Sequence, residues 1–352
     1  MKANQFFRNK LIEILENESF SDQYLFDKIS ELLSQNEGIL LNNLTKPSVF
    51  QELMHNSLSK LKTKSTEGSI KSNISCLDDL TGGFNWGEFV LIGARPGMGK
   101  TKFLQYLMIE SARKHPVLYF DFDSGKENFI HGLISTLTEI PYSDIKNQHI
   151  TNDQWRLINR ISNDIINLPI YFSDEINKSM YSFRLMCNKY IDDFGVKIIF
   201  IDFLQLMGSN RYRHQRELEM GYISRELKNL AHEKNICIIA SCQVSRNCEY
   251  RGGARRPILS DLRESGSFEQ NADKILFLYR PEYYGFEIDE NGDSTKNLME
   301  IIVAKNRNGY IGRATVKHNL PYGGIVPFTP QDSRIEFSVN RLSELDESDP
   351  PF

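Results

Sequence analysis

From residue 74 onward the chain alternates short apolar runs with longer segments of helical periodicity. Six runs are almost continuously apolar: 88–94 EFVLIGA, 116–123 PVLYFDFD, 169–173 PIYFS, 197–204 KIIFIDFL, 236–242 ICIIASC and 274–280 KILFLYR. Runs of that length and β-branched content, separated by helical stretches, predict parallel strands buried on both faces. The predicted fold class is therefore α/β, a mostly parallel twisted sheet flanked by helices. NLMEIIVAKNRN and RATVKHNL further on predict two strands joined by a turn.

Before residue 74 the texture differs. Residues 1–46 place apolar side chains at i, i+3, i+4 spacing (NKLIEILENE, YLFDKISELL), predicting a short helical amino-terminal segment. Pro47 suits a first helical position and opens a second amphipathic stretch, PSVFQELMHNSLSKLK. TKSTEGSIKSN, 63–73, is polar and reads as a flexible linker, so 47–73 is expected to be linker helix plus linker. The main domain is expected over 74–340, followed by an acidic tail, 341–352, too polar to pack.

Composition narrows this only a little. At 40% hydrophobic and 25% charged residues the chain is of ordinary globular type. It has no apolar run near the roughly 20 residues of a membrane span, and MKANQFFRNK is not a secretory leader. Five cysteines without C-x-x-C spacing argue against a disulfide framework or zinc site, so a cytoplasmic location is expected. A net charge of −4 means that any nucleic-acid surface must be a local basic patch.

Chemistry concentrates at the ends of the predicted strands. EFVLIGARPGMGKTKFLQYLMIESA reads as strand, loop and helix, and ARPGMGKT nearly fits a phosphate-binding loop, with Ala94 where the pattern has its first glycine. Arg95, Pro96, Gly97 and Gly99 would line phosphate, Lys100 supply a point charge and Thr101 a hydroxyl for Mg²⁺. The alternative is a glycine-rich strand–helix turn that happens to end in Lys-Thr. VKIIFIDFLQL finishes an apolar strand on Asp202, suited to support the metal or simply to cap a turn. VLYFDFDSG ends on Asp121 and Asp123; two residues apart on a strand, these carboxylates are expected on one face. Lys305 and Arg307, read locally, could be exposed strand residues.

Two loops after strand ends are basic: SRNCEYRGGARR, with Arg246, Arg251, Arg255 and Arg256 against Glu249, and NRYRHQR, with Arg211, Arg213 and Arg216. Both fall on the face where open α/β sheets bind ligands, which suits tracking of a nucleic-acid backbone.

Over residues 74–325 these segments, in this order, resemble the ATPase domain of the DnaB-type replicative helicases, a RecA-like family. CLDDLTGGFNWGEFVLIGARPGMGKT, VKIIFIDFLQLM, ICIIASCQVSR and IIVAKNRNG carry the likeness. RPILSDLRESGSFEQNADKILFLYR is the most diagnostic segment. The resemblance implies a homo-oligomeric ring, hexameric by family habit, that hydrolyses ATP with Mg²⁺ at subunit interfaces and translocates on single-stranded DNA. It gives Lys100 and Thr101 to the phosphates and Mg²⁺, Asp202 to the metal, and Gln243 to sensing the γ-phosphate. Arg307, with Lys305 beside it, becomes the arginine finger acting in trans. Arg263, Glu264 and Gly266 become the loop that tracks the single strand, where the local alternative is a helix-capping turn with an Arg–Glu pair.

The chain departs from the family pattern twice. The stretch before Pro47 is shorter than the family's amino-terminal collar, so primase binding is doubtful; a helicase loader is a separate candidate partner. The family's water-activating Glu is replaced by Asp123, one methylene shorter, with Asp121 or Glu127 placed to compensate. A capping role toward the next helix is the local alternative for Asp123. These departures keep open a second function, an ATP-binding switch or loader with slow hydrolysis and no unwinding.

Overall fold

The computed structural model divides into two compact units, Met1–Glu67 and Gly68–Phe352. The structure describes residues 69–319 other than 175–178, 210–211, 213–214, 263–265 and 290–291, with the strand backbones 324–326 and 335–338 and the helical residues Asp27, Lys28 and Met54. The helices expected over 1–46 and 47–62 otherwise lie outside the described residues, as does the acidic tail.

Every apolar run forms a strand: β1 Phe89–Ala94, β2 Val117–Asp121, β3 Ile170–Ser173, β4 Ile198–Asp202, β5 Cys237–Gln243 and β6 Lys274–Tyr279. They pair in parallel in the order β6-β1-β5-β4-β2-β3. β7 Leu298–Asn306 and β8 Ile311–Asn319 then extend the β6 edge in antiparallel fashion. β9 Gly324–Val326 and β10 Ile335–Ser338 both pair with β8. The expected strand–turn–strand is thus present, and the sheet reaches ten strands.

Period-two alternation sorts the core into two layers. Val90, Ile92, Val117, Tyr119, Ile198, Phe200, Cys237 and Ile239 face one side, packed on α1 Ser75–Thr81, α2 Lys100–Ala112 and α3 Lys126–Thr138. Phe89, Leu91, Leu118, Phe120, Ile199, Ile201, Ile238 and Ala240 face the other, packed on α6 Met180–Phe194 and α7 Arg216–Lys234. α4 Tyr142–Lys146 and α5 Asn152–Ile165 lie between α3 and β3 in the chain, with a small cluster of Ile140, Ile145 and Ile158. Continuing the alternation puts Asp121, Asp202, Ser241 and Gln243 on the α2 side of the sheet.

Two boundaries differ from expectation. The polar run 63–73 does not remain linker to its end, because Ile70 bridges Phe84 and is buried with Ser72 and Ile74. The Ser72 amide and hydroxyl both donate to Asp78 Oδ1 at 2.9 Å. The second correction concerns 116–123: β2 stops at Asp121, whose Oδ1 accepts the backbone N–H groups of Asp123 (3.0 Å) and Ser124 (2.9 Å). Asp121 therefore turns the chain, and Asp123 lies beyond the strand instead of one pleat further along it.

Candidate active site

The carboxyl ends of β1, β4, β5 and β2 meet in one row, with Ala94 paired to Gln243 and Asp202 paired to Asp121. The loop after β1 bends back over this row through Gly97 (φ 78°) and Gly99 (φ 93°), left-handed conformations that favour glycine. Gly99 is also the residue from which α2 starts, so the loop's N–H groups and the helix amino terminus face the same space. Lys100 folds over the loop, its Nζ donating to the carbonyls of Ala94 (3.1 Å) and Arg95 (3.4 Å). Burial lowers its pKa, while nearby Asp202 and Asp123 act in the opposite direction. A cation held this way is ready to exchange two neutral carbonyls for phosphate oxygens.

Asp202 is buried at the end of β4 and engaged on several sides. The Ser241 hydroxyl donates to Oδ1 at 2.6 Å and the Tyr119 hydroxyl to Oδ2 at 3.3 Å. Thr101 adds a further hydrogen bond. Burial raises the Asp202 pKa, against the hydrogen bonds of Ser241 and Thr101. Tyr119 and Ser241 were not singled out from sequence; both share the α2 face with Asp202, and that alternation was the available signal.

The other expected residues are spread more widely. Asp123 is exposed just past β2 and acts electrostatically on Lys100. It does not cap α3, whose N-cap is Gly125 with no side-chain bond. Gln243 is exposed at the end of β5. Its backbone is bracketed by the Gln205 amide, which accepts from Gln243 N at 3.0 Å and donates to Gln243 O at 3.1 Å. Pro96 is exposed on the loop. The Arg95 side chain turns away from it, donating to Glu249 Oε1 (2.7 Å) and the Val244 carbonyl (2.9 Å), so its guanidinium is occupied elsewhere.

Lys305 and Arg307 sit at the opposite end of the sheet. Lys305 pairs with Ile275 near the start of β6, and Arg307 N donates to the Asp273 carbonyl. That level corresponds to Phe89 at the beginning of β1, roughly 16 Å of strand from the P-loop. Lys305 Nζ donates to the carbonyls of Ala272 (2.7 Å) and Glu269, and Arg307 bonds Asp273 Oδ1 (3.3 Å) and the Gln270 carbonyl. Both thus rest on the end of α9 Gly266–Asn271.

Of the nucleic-acid candidates, Arg246 is exposed at the N-cap of α8 Asn247–Tyr250. Arg251 pairs with buried Asp261 at 2.6 Å, and the Arg255 guanidinium lies 5.9 Å from the Tyr284 ring centre. Arg256 makes two bonds to Glu300, at 2.7 and 2.9 Å. Gly266 begins α9, whereas Arg263, Glu264, Arg211 and Arg213 lie outside the described residues.

One site residue had no expected role. Lys102, directly after Thr101, is folded against α3 and donates to Thr136 Oγ1 (2.7 Å) and the Gly132 carbonyl. Burial lowers its pKa from 10.5 to about 8. Between pH 8 and 10.5 the unfolded chain keeps that proton and the folded chain does not, so stability should rise with pH through this window. Lys102→Met is expected to remove the rise and to leave stability at pH 7 within about 1 kcal/mol of the unaltered chain. Relief of up to about 3 kcal/mol of charge burial is offset by two lost charge-assisted hydrogen bonds of about 1.5 kcal/mol each. Melting curves across pH 7 to 10.5 test both points.

A P-loop opening the helix after β1, with a hydroxyl-bound aspartate ending a strand not adjacent to β1, defines a RecA-like nucleoside-triphosphatase core. The model for the DnaB-like helicase C terminal domain matches residues 69–324, and the chain belongs to this DnaB-like helicase family. It is 34% identical over 332 residues to a probable replicative DNA helicase of Trieres chinensis, an alignment covering 91% of this chain and 72% of that relative. Against the replicative DNA helicase DnaC of Bacillus subtilis (strain 168) it is 31% identical over 312 residues, 85% of this chain and 67% of the relative. Among solved structures, one described as an ATPase domain aligns with TM-score 0.74 and 31% identity, covering 81% of this chain and all (100%) of that one. A DnaB-like replicative helicase described with its interactions with primase aligns with TM-score 0.71 and 29% identity, covering 93% and 77%. No helix among the described residues is long and apolar enough to cross a membrane.

Proposed function

We propose that this DnaB-like helicase assembles into a hexameric ring, hydrolyses ATP between adjacent subunits, and uses the cycle to move along single-stranded DNA and open duplex. One observation carries the oligomeric part: Lys305 and Arg307 lie at the end of the sheet opposite their own P-loop. A finger so placed serves hydrolysis only if it enters a neighbour's site.

Within one site the roles divide by position. Lys100 and the loop N–H groups hold the phosphates, and Gln243 at the end of β5 reports on the terminal one. Asp123, free of the sheet ladder, orients the attacking water and takes its proton. Thr101 and Asp202, a hydroxyl and a carboxylate already paired, form a hard-oxygen donor set that fits Mg²⁺ with phosphate oxygens and water completing its shell. When bound, Mg²⁺ would neutralise charge on the phosphates. Arg246, with the segment leading into Gly266, would meet the DNA backbone, while Arg251 is held by Asp261 and would serve only to shape that loop.

The test is ATP hydrolysis with and without single-stranded DNA, alongside assembly mass in MgATP and opening of a fork with a free 5′ tail. Single-stranded DNA is expected to raise hydrolysis severalfold, with hexamers opening the fork. A hexamer that hydrolyses ATP yet never opens forked DNA sinks the translocase reading and leaves the switch.

A further inference from the structure

Gln243 stands where the sheet ladder runs out on one side. Along β5 the backbone N–H groups alternate in direction. Cys237 donates to the Lys197 carbonyl at the entry to β4 (3.0 Å), whereas Ile238 and Val244 donate toward β1, to Glu88 (3.0 Å) and Ala94 (3.1 Å). Gln243, in step with Cys237, therefore turns both its N–H and its carbonyl toward β4. β4 ends at Asp202, and its ladder with β5 stops at Ile201 and Ala240. The backbone of the residue that reports on the terminal phosphate thus lies beyond the end of that ladder and needs other partners.

Gln205 takes the place of the missing strand. Its Oε1 accepts from Gln243 N at 3.0 Å and its Nε2 donates to Gln243 O at 3.1 Å. A carboxamide offers an acceptor and a donor in one plane, as a backbone peptide does; reversed, it would set donor against donor and acceptor against acceptor. The glutamine is itself anchored. It lies in a single 3₁₀ turn, Leu204–Leu206, between the buried side chains of Leu204 and Met207. Arg216, which opens α7, donates to the Gln205 carbonyl and to the Met207 carbonyl (3.1 Å), and pairs with Glu219. Glu219 accepts from Ser209 N at 2.6 Å. Arg216 reads in the sequence as part of a basic loop, yet its guanidinium is occupied by this backbone.

We propose that Gln205 is a positioning residue for ATP hydrolysis: by standing in for a strand it fixes the Gln243 backbone and so aims the Gln243 side chain at the terminal phosphate. This rests on Gln243 being the phosphate sensor, and it adds the residue that aims it. Gln205 follows Asp202 by three residues, so one short segment sets both the metal-side carboxylate and the sensor. Arg216 holds that segment from α7.

A double-variant cycle on the full chain tests it, reading turnover with single-stranded DNA present and MgADP affinity by calorimetry. Gln205→Met is expected to lower turnover by about 10²-fold, the scale for a displacement of about 1 Å, with MgADP affinity and melting temperature unchanged. Gln205→Glu keeps the acceptor for Gln243 N but sets an anionic oxygen against the Gln243 carbonyl, and should fall as far. Gln243→Ala should be at least as slow, and adding Gln205→Met to it should cost nothing more. Losses that multiply in the doubly altered chain overturn the proposal, as does a Gln205→Met chain at full turnover beside a slow Gln243→Ala. If both Gln205 variants lose MgADP binding or melt early, Gln205 is a structural support and the proposal is overturned; if only one does, the other decides. A Gln243→Ala chain at full turnover removes the sensor reading and this proposal together, and fork opening by the unaltered chain tests the helicase reading separately.

Discussion

Arg307→Ala is expected to lower ATP turnover by about 10³–10⁵-fold, the range for removing an arginine finger, while nucleotide binding by the same chain is unchanged. The second half follows from position, because Arg307 stands at the level of the first residue of β1 while the P-loop follows its last. Its side chain is 45% exposed and held by Asp273 Oδ1 and the Gln270 carbonyl, contacts that can be exchanged without unfolding the strand. The measurement is hydrolysis by mixtures. An Arg307→Ala subunit keeps its P-loop and a Lys100→Ala subunit keeps its finger, so each is nearly inactive alone. Mixed, they form interfaces at which an intact P-loop meets an intact finger, and activity should reappear with a maximum at intermediate ratios. Mixtures that stay inactive at every ratio would place the finger in its own subunit or nowhere.

Much of this architecture was legible because strands buried on both faces leave an unbroken apolar signature. All six parallel strands begin and end within two residues of their apolar runs, and the motif residues sit at their carboxyl ends. What was illegible depends on partners distant in sequence. Arg95 reads as part of a phosphate loop until Glu249, far along the chain, claims its guanidinium. Arg251 reads as a free cation until Asp261 folds beneath it. Tyr119 and Ser241 look like core and filler until register sets both against Asp202. The Asp121 turn was hidden for another reason. An aspartate accepting two backbone N–H groups ends a strand, yet the apolar Phe122 after it keeps the run looking continuous.

That turn bears on the second large effect. Asp123→Asn is expected to reduce turnover by about 10²–10⁴-fold, the usual contribution of a general base, with little change in ATP binding. Asp123 is exposed, close enough to Lys100 to influence its charge, and presented by a loop that the Asp121 carboxylate pins through two hydrogen bonds. Its carboxylate has one methylene less reach than Glu, and a displacement of about 1 Å can cost about 10²-fold in rate. Asp123→Glu therefore separates the two functions left open by the sequence. If the turn at Asp121 compensates for the short side chain, lengthening it overshoots and turnover falls along with Asp123→Asn. If Asp123→Glu raises turnover greatly while Asp123→Ala leaves the original slow rate untouched, Asp123 is not a working base, and ATP serves this chain as a switch. Single-turnover hydrolysis with preassembled rings isolates this step from product release, so the comparison reads the chemistry that the two acids of this turn control.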